Sequence, residues 1–140
     1  MKTVEVKLSR LRGALFEGTN ATGQRVLVDG PPDLGGQAEG VRPMELLLLA
    51  LAGCAAMDVI HILEKQQKEP LADLDVSVKG VRADATPAVY TDIALHFEVS
   101  GPIDAHKLER AVKLSMDKYC SVAQMLMKGA TITYTTRVRA

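Results

Sequence analysis

The chain opens in strict alternation. Val4, Val6 and Leu8 are apolar while Glu5 and Lys7 are charged, a period of two that predicts a half-buried strand over residues 3–8. Arg12-Gly13 reads as a turn into a second short strand, 14–17, and Asn20-Ala21-Thr22-Gly23 as a turn into a third, 25–29. From Gly30 to Gly40 the prolines and glycines exclude regular structure and leave a long loop. The period then changes. Pro43 suits the first turn of a helix, and the apolar run 44–60 carries it to about Gln67 before Pro70 ends it. Two alternating stretches follow as longer strands, Leu74, Val76 and Val78 in one and Ile93, Leu95, Phe97 and Val99 in the other. Asp104 can cap a helix over 105–118, in which Leu108, Ala111, Val112, Ser115 and Met116 fall at helical spacing. A short helix over 121–127 stops at Gly129, and a strand over 131–138 closes the chain. Strands, helix, strands, helices and strand make an α+β protein with a long, buried central helix. Without repeats or a dividing linker, residues 1–140 are expected to form one domain.

The central run raises the question of a membrane. Its uncharged part, Leu46 to Met57, is twelve residues bracketed by Glu45 and Asp58, against about twenty needed to span a bilayer. A core helix is the expectation. Seventeen basic residues balance seventeen acidic ones with no basic block, which argues against nucleic acid and anionic membrane as partners. The first residues alternate charge and hydrophobicity and do not resemble a signal peptide. A cytoplasmic protein without a stable structural disulfide is expected.

The chemistry then narrows to two cysteines. Cys54 lies about eleven residues into the central helix, beyond the reach of its N-terminal dipole. Burial among Ala52, Ala55 and Ala56 would raise its pKa and leave it inert; activity would require a cation from elsewhere in the fold. The small residues around it do leave room for another element or a ligand. Cys120 sits at the start of the short helix, where free N–H groups stabilise a thiolate, although a buried helix cap accounts for it equally well. Glu45 and Cys54 point to opposite sides of one helix. Glu45 therefore either caps its own helix start or serves a site in a second subunit. His61 shares the face of Cys54 but lies about 10 Å along the axis, too far for a Cys–His dyad. Asp58 and His61 offer two ligands without a third nearby, so no metal is expected, and no motif for a nucleotide or other cofactor is present. His96 and His106 read as surface residues.

Taken together, Arg42-Pro43-Met44-Glu45-Leu46-Leu47-Leu48-Leu49-Ala50-Leu51-Ala52-Gly53-Cys54, Tyr119-Cys120-Ser121-Val122 and Leu34-Gly35-Gly36 resemble motifs of the OsmC/Ohr family, the osmotically inducible and organic hydroperoxide resistance proteins. The first resembles a Pro-led acidic segment leading to a helical cysteine, the second a resolving-cysteine motif, the third a glycine-rich loop. Met44 stands where the family carries an acid directly after the proline, and Arg12-Gly13 is a loose counterpart of a glycine-flanked arginine turn. Pro43-Met44-Glu45-Leu46-Leu47-Leu48 and Tyr119-Cys120-Ser121-Val122 resemble the OsmC-like branch more closely than the two named enzymes. The resemblance implies an intertwined homodimer with active sites at the interface. It also implies Cys54 as peroxidatic thiol, Cys120 as resolving thiol, and Glu45 and Arg12 as the charged pair that holds thiolate and peroxide across the dimer. Organic hydroperoxide would be the substrate and a dithiol the reductant. A redox sensor or small-molecule binder without turnover is the alternative.

Overall fold

The computed structural model describes residues 1–139. The chain forms two compact units, Met1–Leu47 and Leu48–Ala140.

The first unit is an antiparallel meander of β1 (Val6–Arg12), β2 (Leu15–Asn20) and β3 (Arg25–Val28), in the order β1-β2-β3. Both turns fall where the sequence puts them. Gly13 takes a left-handed φ of 52°, and a Cβ there would stand 2.8 Å from the Gly35 carbonyl oxygen. The Asn20 side-chain oxygen accepts from the backbone N–H of Thr22 at 3.2 Å and of Gln24 at 2.9 Å. The first strand differs from its expectation. It begins later, at Val6, and is exposed throughout, with Val6 at 73% and Leu8 at 57%. Among the described residues β1 is an edge strand that pairs with β2 alone, so alternation gives it a pleat without supplying a surface to bury one face.

In the glycine-rich loop the only helical turn is Pro32–Leu34. Asp29 organises the rest: it is buried and accepts from the backbone N–H of Gly30, Gln37 and Glu39 at 2.8, 3.3 and 3.0 Å. Those bonds, above all the one from Glu39, hold its pKa below the ordinary carboxylate value. Gly36 cannot be replaced, since a Cβ would lie 1.8 Å from the Gly30 carbonyl oxygen.

The helix α1 (Pro43–Ile60) starts at the expected proline. It is prolonged by one wider turn, His61–Gln66, closed by a five-residue bond from Gln67 N–H to the Ile62 carbonyl at 3.0 Å. Together they have the length and apolar composition of a membrane-crossing segment, yet the helix buries a stripe of protein-facing residues, Leu51, Ala55 and Val59. The remaining sides are less covered than a central helix leads one to expect: Leu49 is 56% and Met57 70% exposed within one chain.

The second sheet comprises β4 (Asp73–Arg82), β5 (Tyr90–Ser100) and β6 (Thr131–Arg139), in that order. β4 and β5 are antiparallel, whereas β6 runs parallel to β5 because a helical crossover joins them. Ile93, Leu95, Phe97 and Val99 are buried on one face, as their period predicts, while Glu98 and His96 stay on the other, where the His96 ring meets Thr135 Oγ1 at 2.6 Å. The crossover contains α2 (Ala105–Leu114), capped by Asp104 as expected, a wide turn Ser115–Tyr119, and α3 (Ser121–Leu126). Leu108, Ala111, Val112, Ser115 and Met116 are all buried.

Candidate active site

Cys54 projects from α1, one helical turn before Asp58 on the same face. Cys120 is the N-cap of α3, in extended backbone geometry, and its position is set by the wide turn before it: Cys120 N–H donates to the Ser115 carbonyl at 2.7 Å. These two elements bring together the Cys54 sulfur, the Cys120 sulfur and an Asp58 carboxylate oxygen, all within 4.8 Å of one another. Ser115 Oγ donates to Asp58 Oδ2 at 2.7 Å, tying the carboxylate of one helix to the turn that carries the second thiol. A cavity of about 240 Å³ adjoins the group, lined by Asp58, His61, Ile62, Gln66 and Tyr119.

The two thiols occupy different environments. Cys54 is half-buried and Cys120 fully buried, and both are free. Cys120 is the buried helix cap of the two alternatives and not an acidic thiol. Its sulfur does accept the Ala123 N–H at 3.4 Å, which favours a thiolate. Burial, opposing it, is larger, and the neighbouring Cys54 and the Asp58 charge add to the burial effect, so the thiol is pushed up to about 12. One weak N–H···S bond at a one-turn helix cannot replace lost hydration.

Arg12 and Glu45 belong to the other unit, and each has a partner there. The Arg12 guanidinium pairs with Glu39, which raises its pKa further, and its side chain is 58% exposed. Glu45 Oε1 accepts from Arg42 N–H at 2.8 Å, the return bond of a capping box at the start of α1. Of the four side chains singled out in the sequence, the structure thus gathers the two cysteines. It adds two that sequence reasoning missed. Asp58 carries a signal, since a residue one turn from Cys54 shares its face, but the sequence offers it only as a partner of His61. Ser115 carries none, being an expected core position of α2. His61 meets Gln66 instead, ring nitrogen to amide nitrogen at 3.4 Å.

Two sulfurs and a carboxylate are a donor set, but a metal binds thiolate rather than thiol. A metal held here would have to displace the Cys120 proton, so its binding would weaken as pH falls.

A mixed α+β chain that turns two cysteines from separate helices toward one carboxylate defines a small dithiol protein. The chain belongs to the OsmC-like family: the model of OsmC-like proteins matches residues 36–135. It is 38% identical to protein YhfA of Escherichia coli K12 over 138 residues, 98% of this chain and 99% of that one. A hypothetical protein from Aquifex aeolicus superposes with a TM-score of 0.83 at 30% identity, over 100% of both chains. The organic hydroperoxide resistance protein OsmC from Legionella pneumophila shares the fold, with a TM-score of 0.73 and 18% identity over 99% of this chain and 98% of that one.

Proposed function

We propose that the protein is a thiol peroxidase for organic hydroperoxides, with Cys54 as the attacking thiol and Cys120 as the resolving one. The observation that carries this reading is the approach of both sulfurs and one carboxylate oxygen to within 4.8 Å. Cys54 is the half-buried member and Cys120 the buried, protonated one, and a reagent reaches the first more readily. The Cys54 thiolate attacks the peroxide O–O bond; the distal oxygen becomes a sulfenic hydroxyl and the alkoxide leaves, after protonation, as alcohol. The Cys120 sulfur then displaces that hydroxyl as water, and a dithiol reduces the resulting disulfide.

The active unit in this reading is a homodimer. Leu49, Met57 and Ile60 share one exposed stripe of α1 with Gly53, beside which a Cβ would meet nothing within 4 Å. An apolar stripe with a flat centre fits a second copy of the same helix. Arg12 and Glu45 act in trans, with Arg12 giving up Glu39 to supply the cation that Cys54 needs.

A sensor that is oxidised once without turnover is favoured by one observation, the complete burial of Cys120, which pushes its thiol pKa up and slows resolution. Reduced protein mixed with an alkyl hydroperoxide and excess dithiol separates the two. Steady consumption of hydroperoxide supports the peroxidase, and a single stoichiometric oxidation supports the sensor. In the peroxidase, Cys120→Ser accumulates a trappable sulfenic acid on Cys54, and Cys54→Ser forms none. Sulfenic acid found only on Cys120 would reverse the roles.

A further inference from the structure

Cys120 presents a chemical difficulty that the two-thiol scheme leaves open. A buried thiol must lose its proton to become a nucleophile, and hydroxide has no free access to a side chain that is 0% exposed. Polar groups at or beside the cluster come from two elements. Cys54, Asp58 and His61 lie along one helix, with His61 on the cavity wall beside Asp58; Tyr119 approaches from the wide turn, and Ser115 from its start. Lys118, next to Tyr119, sits over that ring at 5.3 Å from its centre. Among these, the proton-accepting group nearest both sulfurs is the Asp58 carboxylate, within 4.8 Å of each.

We propose that Asp58 is the proton acceptor that activates Cys120 for its attack on Cys54, with Ser115 holding the carboxylate in place. This deepens the peroxidase reading and rests on its assignment of the two thiols. In the step, the Cys120 sulfur forms a bond to Cys54 as the Cys54 S–O bond breaks. The Cys120 proton passes to the Asp58 carboxylate and from there to the departing hydroxide, which leaves as water and regenerates the carboxylate. Geometry supplies the path. A carboxylate oxygen lies within 4.8 Å of both sulfurs, Oδ2 is fixed by the 2.7 Å bond from Ser115 Oγ, and the Ser115 carbonyl fixes the backbone of Cys120 at 2.7 Å. One residue therefore orients base and nucleophile together. A general base in such a position contributes on the order of 10²–10⁴-fold.

The step can be followed without any peroxide. Reduced protein treated with 5,5′-dithiobis(2-nitrobenzoate) forms a mixed disulfide on Cys54 and releases one thiobenzoate. Attack by Cys120 then releases a second, and the two phases are read separately. Asp58→Asn is expected to slow the second release by about 10²-fold and to change the first only a few-fold. The wild-type second phase is expected to be level through neutral pH, whereas in Asp58→Asn it climbs roughly tenfold per pH unit as hydroxide takes over. Ser115→Ala, a positioning change, is expected to slow the second phase less and to keep the level profile. A second release in Asp58→Asn with wild-type rate and profile would overturn the proposal. Should Asp58→Asn fail to fold, a wild-type second phase that itself climbs tenfold per unit through neutrality would overturn it equally. Failure of the peroxidase reading looks different: alkyl hydroperoxide then yields no sulfenic acid, while the second thiobenzoate release still depends on Asp58.

Discussion

At the scale of single residues, the contest at Cys120 is between hydration and a helix end, and magnitude decides it. The Ala123 N–H is one donor at 3.4 Å to sulfur, while burial removes every water from the thiol. A group whose neutral form is favoured by folding binds its proton more tightly in the native state. Its contribution to stability is therefore intact below the unfolded pKa, near 9.0, and declines as pH rises toward the folded value of about 12. The expected slope is about 1.4 kcal/mol lost per pH unit in that window. Denaturant unfolding of reduced wild type and Cys120→Ser at alkaline pH measures it, and the serine variant should lack this slope. Alkylation of folded Cys54→Ser protein should likewise remain slow at pH 8, since the remaining thiol is both buried and neutral.

Elements obey two separate sets of forces here. On α1 the stripe that matters within the chain is Leu51, Ala55 and Val59, all at 0% exposure. Leu51→Ala should cost about 2–5 kcal/mol through lost burial and a residual cavity, measured by equilibrium unfolding. In the loop after β3, order comes from the Asp29 carboxylate instead. Its pKa is lowered by the backbone donors, so the stability it lends is present above the unfolded value of about 3.9 and lost as pH falls through the folded one. Asp29→Asn should melt at a lower temperature at neutral pH, and its acid limb should be flatter than that of wild type.

For the whole molecule, the apolar surface that one chain leaves uncovered is the guide. Leu49 and Met57 are more than half exposed on α1, and a soluble protein rarely leaves such a surface to water. Met57→Glu or Gly53→Leu should shift a dimer toward monomer in sedimentation at micromolar concentration, and peroxidase turnover should fall with it if Arg12 acts in trans. A wild-type chain that sediments as a stable folded monomer would remove the dimer, and with it the trans role of Arg12 and Glu45.

Local rules are legible in the sequence wherever a short stretch settles its own free energy. Pro43 marks the start of α1 and Asp104 caps α2. The period of two buries Ile93, Leu95, Phe97 and Val99 on one sheet face, and Cys120 stands at the head of α3. Within one chain Glu45 returns to the Arg42 N–H, a cap that the sequence offers beside a role in a second subunit. The alternation of β1 is equally legible but cannot tell whether anything lies against it, because burial is a property of neighbours rather than of pattern. The same limit applies at the site. Residues 54 and 120 are far apart in the chain, and only the packing of the Ser115–Tyr119 turn against α1 makes one cluster of Cys54, Asp58, Ser115 and Cys120. Packing also chooses between the two readings of Cys120, favouring the buried cap over the acidic thiol, since desolvation depends on everything around a sulfur and a helix end only on the few residues that follow it.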